Sequence, residues 1–127
     1  MSKLIENFTF SGQLKLLNSN DYQFVFDNAK RFGNHAFTVL ARKNNLDYPR
    51  LGLAISKKCA KRAVDRNQIK RIFRESFRLN KANLPAVDII AMCKPSAVKL
   101  DNKAMRHQID MQWQFINKKF ADVTDAK

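Results

Sequence analysis

The sequence predicts an α+β fold, a two-layer sandwich in which helices pack on a roughly four-stranded mixed sheet. Three observations predict it. Helical and strand periodicities follow one another in the order helix, strands, helix, strand, helix. A pair of strands is separated from a later buried strand by a long amphipathic helix, so the helix has to cover a sheet face. The 127 residues are 45% hydrophobic, enough for one ordinary core without metal or disulfide staples. With no repeat or linker-like stretch, residues 1–127 read as a single domain, with 1–12 and 121–127 as loosely ordered ends.

Residues 1–17 begin irregularly, and Ser19 offers an N-cap to a short helix carrying Tyr22, Val25, Phe26 and Ala29 at helical spacing. The run from Ala36 to Lys43 is rich in β-branched and aromatic residues and reads as a strand, and NNLDYP after it as a turn. Arg50 to Ser56 is a second strand, in which Gly52 is expected to mark a bulge or a close backbone approach. From about Val64 to Asn80, Ile69, Ile72, Phe73 and Phe77 recur at helical spacing, with Asp65 near the positive end of the dipole. Pro85 precedes the buried strand AVDIIAMC, which Lys94 and Pro95 close. Asp101 can cap a last helix with an apolar stripe of Met105, Ile109, Trp113, Ile116 and Phe120.

The formal charge is +13, from 24 Lys and Arg against 11 Asp and Glu. Such self-repulsion points to a polyanionic partner. The charge is concentrated: the 22 residues from Lys57 to Arg78 hold nine bases and two acids. At about 100° per residue Arg66, Lys70, Arg74 and Arg78 step along one ridge, with Asn67 and Arg71 beside it and the apolar residues on a neighbouring arc. Lys57, Lys58, Lys61 and Arg62 extend the cations through the preceding loop. Charge runs are usually solvated faces, but like charges four apart repel, and phosphates between them would relieve the repulsion.

No apolar run is long enough to span a membrane, and the amino terminus lacks a signal-peptide core, so a cytoplasmic protein without a membrane partner is expected. Cys59 and Cys93 have no C-x-x-C partner and read as reduced thiols, and His35 and His107 lack metal-ligand spacing, so no metal is expected.

At the basic segment the sequence closely resembles the protein subunit of bacterial ribonuclease P. The matching residues are Arg50, Gly52, Lys57, Lys58, Ala63, Arg66, Asn67, Ile69, Lys70, Arg71, Arg74, Glu75, Phe77 and Arg78, in order, and the likeness extends over about residues 10–120, including Lys15-Leu16-Leu17, Asp21 to Phe26 and LPAVDIIAMCKP. Two departures stand out. Gln68 replaces the last cation of the family's R-N-R triplet, and Cys59-Ala60 replaces an apolar residue and a glycine. The resemblance implies a ribonucleoprotein endonuclease that removes the 5′ leader from precursor tRNA, with hydrolysis by a magnesium-dependent RNA subunit. It implies no catalytic group and no cofactor in the protein itself. Its partners would be the catalytic RNA and precursor tRNA. The resemblance places Lys57, Lys58, Lys61, Arg62, Arg66, Asn67, Lys70, Arg71 and Arg74 on the catalytic RNA, and Tyr22, Phe26 and Lys94 at a cleft for the leader. Helical spacing alone leaves Tyr22 and Phe26 open to plain core packing.

Duplex RNA is gripped through phosphates and 2′-hydroxyls, and single strands prefer aromatic platforms beside cations, in keeping with both surfaces. The alternative is a non-catalytic RNA-binding module such as a ribosomal protein or RNA chaperone, which the charge alone would serve equally well. A protein-only metallonuclease needs converging carboxylates, and the acids show no paired motif. A DNA partner is not expected, since the basic helix has neither dimerising heptads nor a helix-turn-helix companion.

Overall fold

A computed structural model describes residues 19–125. It has the expected α+β architecture, with a four-stranded sheet in the order β1-β2-β4-β3. The elements are α1 (Ser19–Asp27), β1 (Lys30–Gly33), β2 (Phe37–Lys43), β3 (Arg50–Ala54), α2 (Ala63–Asn80), β4 (Val87–Cys93) and α3 (Asn102–Asp125). Short 3-10 turns at Lys81–Asn83 and Pro95–Lys99 flank β4. The readings for residues 1–17, including the loose end over 1–12 and Lys15-Leu16-Leu17, lie outside the described residues, as do 126–127 and the side chain of Ser19. Through 121–125 the backbone remains helical.

Strand alternation sorts the side chains. Phe37, Val39 and Ala41 of β2, Leu51 of β3, and Val87, Ile89 and Ala91 of β4 share one face and join Ile69, Ile72, Phe73 and Phe77 of α2 and the Met105-to-Phe120 stripe of α3 in the main core. The opposite parity, Leu40 and Ile90, packs with Val25 of α1. So α2 and α3 form the second layer of the sandwich, and α1 lies across the other face. An aromatic chain knits the main core: Phe37 to Phe73 at 5.1 Å, Phe73 to Trp113 at 6.3 Å and Phe77 to Trp113 at 5.9 Å, all edge to face. The Trp113 indole N–H donates to Ser76 Oγ at 2.7 Å, and that hydroxyl donates to Asp110, so these three side chains are linked across the α2–α3 seam.

The observed elements differ from the expected ones at three places. β1 has no counterpart among the expected strands: KRFG is short and polar, its pattern mostly exposed, and it becomes a strand by pairing antiparallel with β2. Asn34 makes the turn between them, its side-chain oxygen accepting the N–H groups of Ala36 and Phe37. β3 stops at Ala54 instead of Ser56. Gly52 carries no bulge, because the parallel register with β4 runs unbroken from Arg50–Asp88 to Ala54–Met92 and no glycine has positive φ among the described residues. The Asp101 cap is present, its carboxylate accepting the Ala104 N–H at 2.8 Å.

Asp88, 1% exposed, faces the α1 side of the sheet. Arg50 binds it through two hydrogen bonds of 2.9 and 2.7 Å, and Asn44 adds one of 2.8 Å. Donating these hydrogen bonds to Asp88 raises the Arg50 pKa further. A carboxylate this buried is tolerated because its acceptor sites are filled. Asp88→Ala removes the partner of Arg50 and Asn44 and is expected to cost about 3 to 5 kcal/mol. Urea unfolding should show a lower midpoint at unchanged m; a loss below about 1 kcal/mol would mean that the clasp is dispensable.

Candidate nucleic-acid interface

The basic loop and helix α2 form one continuous surface. Ile69, Ile72, Phe73 and Phe77 turn inward, while Asn67, Arg71 and Arg74 are exposed and Lys70 and Arg78 partly so. In the loop Lys57, Lys58, Lys61 and Arg62 are all exposed. The expected ridge is modified at its first member. Arg66 donates to the carbonyls of Ala60 at 2.9 Å and Lys61 at 2.8 Å, so its guanidinium shapes the loop that carries the other cations. Arg62 is clasped by Asp65 at 3.0 Å, and this hydrogen bond holds the Asp65 carboxyl below its ordinary range. A depressed carboxyl pKa means that the clasp is complete at neutral pH and opens only in acid.

Polar partners also orient side chains along α2. Glu75 accepts Arg106 of α3 at 2.8 Å, and Arg71 donates to Gln68 Oε1 at 2.9 Å. Gln68, which replaces a cation of the R-N-R pattern, donates in turn to Asn102 at the start of α3, at 2.6 Å. The departure therefore creates an amide bridge between the two helices, and Asn102 joins the surface without any local signal that could have singled it out.

The two aromatics of α1 have different surroundings. Tyr22 packs beside Val25, and its hydroxyl accepts the Leu53 N–H at 3.2 Å and faces the Leu53 carbonyl at 3.5 Å, closing the open edge of β3. Phe26 is 48% exposed and belongs to neither core cluster. The buried contact of the helix is Val25, fully enclosed against Leu40 and Ile90. Polar anchors do the rest: Asp21 lies 3.8 Å from Arg50, and Arg42 stacks 3.7 Å over the Phe24 ring while donating to the Phe24 carbonyl.

Lys94 is exposed, and its ammonium donates to the Asn34 carbonyl at 2.6 Å, tying the end of β4 to the β1–β2 turn. Its own carbonyl lies 3.6 Å from Cys59 Sγ, so the basic loop and Lys94 are neighbours. The two thiols expected to be reduced and unpartnered are brought together here: Cys59 and Cys93 face each other across a Cα separation of 5.8 Å, within the reach of a disulfide. Thirty-four residues separate the two in sequence, so no spacing rule could pair them. Among the described residues, no group of three or more His, Cys, Asp and Glu is placed to hold a metal ion, and no helix is long and apolar enough to cross a membrane.

Residues 10–117 match the model of the ribonuclease P family. The chain is 47% identical over 112 residues to the ribonuclease P protein component of Aliivibrio fischeri, covering 88% of this chain and 96% of that protein. To the component from Haemophilus influenzae it is 47% identical over 105 residues, 83% of this chain and 88% of the relative. Among solved structures, the ribonuclease P protein of Thermotoga maritima superposes with a TM-score of 0.72 at 32% identity, covering 80% of this chain and 96% of that one. A Staphylococcus aureus ribonuclease P protein mutant, described as having defective mRNA degradation activity, gives 0.73 at 28% identity over 94% of both chains.

The unequal burial on α1 is testable by stability alone. Phe26→Ala should lower stability by less than about 1 kcal/mol, far from the roughly 3 to 5 kcal/mol of a buried phenylalanine. Val25→Ala, which thins the fully enclosed contact of this helix, should cost about 1.5 to 3 kcal/mol. Thermal melts of the two variants should differ accordingly; equal shifts would place Phe26 in the core.

Proposed function

The chain belongs to the ribonuclease P protein family, and from that membership we propose that it serves as the protein component that partners a catalytic RNA in removing the 5′ leader from precursor tRNA. The observation that carries the reading is the continuous cationic surface from Lys57 through Arg74, presented by a helix whose other face is committed to the core. Lys57, Lys58, Lys61 and Arg62 from the loop, with Asn67, Lys70, Arg71 and Arg74 from α2, contact the phosphates and 2′-hydroxyls of the catalytic RNA. Arg66 contributes by holding the loop carbonyls. The RNA subunit supplies the magnesium-dependent hydrolysis, and the protein contributes affinity and placement of substrate.

The leader of the precursor lies along the α1 side of the sheet. Phe26 offers a half-exposed ring for stacking, Tyr22 holds α1 on the β3 edge beside it, and Lys94 supplies a cation for the backbone. Work of this kind belongs to the cytoplasm, where precursor tRNA is processed in bacteria.

Reconstitution tests the whole reading. The protein with a transcript of ribonuclease P RNA should cleave precursor tRNA at the leader junction at magnesium concentrations where that RNA alone is slow. The protein without RNA should not cleave at any magnesium concentration. No stimulation of the RNA would overturn the assignment.

The basic surface makes a quantitative demand. Lys70→Ala/Arg71→Ala/Arg74→Ala should weaken RNA binding and flatten the plot of log affinity against log salt by roughly one unit for each phosphate that is no longer neutralised. An unchanged slope in the folded variant would remove α2 from the RNA interface. For the leader, Phe26→Ala should cost about 1 to 3 kcal/mol of affinity per stacked base, seen with leader-bearing precursor and absent with mature tRNA. Equal losses for both substrates would discard the stacking role.

A further inference from the structure

Cys59 in the middle of the basic loop and Cys93 at the end of β4, immediately before Lys94, stand 5.8 Å apart at Cα, within disulfide reach. Cys59 is 5% exposed and is flanked by Lys57, Lys58, Lys61 and Arg62, whereas Cys93 is only partly buried. The chain has no other cysteine. Disulfides in a reducing compartment are mostly transient, catalytic or redox-sensing, and a structural role is the exception there.

We propose that Cys59 and Cys93 form a reversible thiol–disulfide switch that sets how firmly the RNA-binding loop is held. The inference rests on the reading of that loop as an RNA contact. Oxidation by a small disulfide such as glutathione disulfide balances without other reagents. The Cys93 thiolate, the more accessible, attacks one glutathione sulfur and expels a glutathione thiolate. The Cys59 thiolate then attacks the Cys93 sulfur of the mixed disulfide and expels the second. Two electrons pass from the protein thiols to the glutathione disulfide, and their two protons end on the released thiols. Glutathione is anionic, so the surrounding lysines favour its approach.

The mechanical consequence follows from packing. Unbonded sulfurs need roughly twice the separation of bonded ones. Cys59 is 5% exposed and Ala60 after it 2%, so parting the sulfurs on reduction loosens the loop to which both residues belong. The carbonyls that Arg66 grips, Ala60 and Lys61, lie directly after Cys59 and move with it. In the oxidised form the four loop cations and Lys94 keep a fixed spacing; in the reduced form part of that order has to be restored on binding RNA.

The test equilibrates the full chain across ratios of reduced to oxidised glutathione. Bonded thiols are quantified by maleimide labelling and mass, and affinity for a ribonuclease P RNA transcript is measured at fixed salt and magnesium. The disulfide population should follow the ratio, and the oxidised protein should bind about fivefold tighter than the reduced. Cys59→Ser/Cys93→Ser should bind at the reduced value at every ratio, with Cys59→Ala/Cys93→Ala as the control if serine perturbs the buried site. Absence of the bond at every ratio, an affinity indifferent to it, or weaker binding when it is formed would each overturn the switch. Arg71→Ala/Arg74→Ala, measured in parallel, separates the two levels. Weakened binding there with no redox effect leaves the RNA reading standing and removes only the switch, whereas unaltered binding removes the RNA reading itself.

Discussion

The parallel pairing of β3 with β4 is the constraint from which the rest of the arrangement follows. Two adjacent parallel strands cannot be joined by a hairpin, so the chain has to travel back along the sheet before β4 begins. The 18 residues of α2 make that return, a length of about 27 Å. The return helix has one face pressed on the sheet and one face outside, and the outer face carries Asn67, Arg71 and Arg74. Because the strands run the same way, the loop that leaves β3 lies at the same end of the sheet as the residues that leave β4. That brings Lys57 to Arg62 beside Cys93 and Lys94, although the two segments are distant in sequence.

A single helix thus serves two demands of opposite character, and its stability comes from the inner one. Ile69, Ile72, Phe73 and Phe77 are almost completely enclosed, and Phe73 and Phe77 meet Trp113 edge to face. The outer face holds charges that repel one another, and polar partners orient several guanidinium groups on and around it, Asp65 that of Arg62 in the loop, Gln68 that of Arg71, and Glu75 that of Arg106 from α3. Surface pairs of this kind contribute little to stability. Their effect is on geometry, since a guanidinium held by a neighbour presents its remaining donors in a narrower set of directions.

The other face of the sheet is held differently. α1 has nine residues and, among the described side chains, one that is fully buried, Val25. It is fastened by polar links to two strands: Tyr22 to the backbone of β3, Asp21 toward Arg50 of β3, and Phe24 under Arg42 of β2, while Asp88 of β4 anchors Arg50 in turn. Such fastening leaves apolar surface on the helix uncovered, which is why Phe26 stands half in solvent beside the sheet.

The sequence by itself determined whatever depends on local periodicity or on an ordered motif. The inward arcs of α2 and α3, the Asp101 cap, the strands over 37–43 and 87–93, the concentration of cations from Lys57 to Arg78 and the family likeness were all legible, because 3.6- and 2-residue periods and motif spacings are written in consecutive positions. The tertiary structure decided what depends on a partner elsewhere in the chain. Lys30–Gly33 is a strand only because β2 offers a ladder, and Gly52 stays in register because β4 does. Arg66 turns to the loop carbonyls instead of outward, Gln68 reaches Asn102, and Cys59 meets Cys93. Phe26 and Val25 are neighbours on one helix, yet their burial differs because the cover over α1 is set by Leu40 and Ile90, which stand on two strands that the spacing within the helix does not encode.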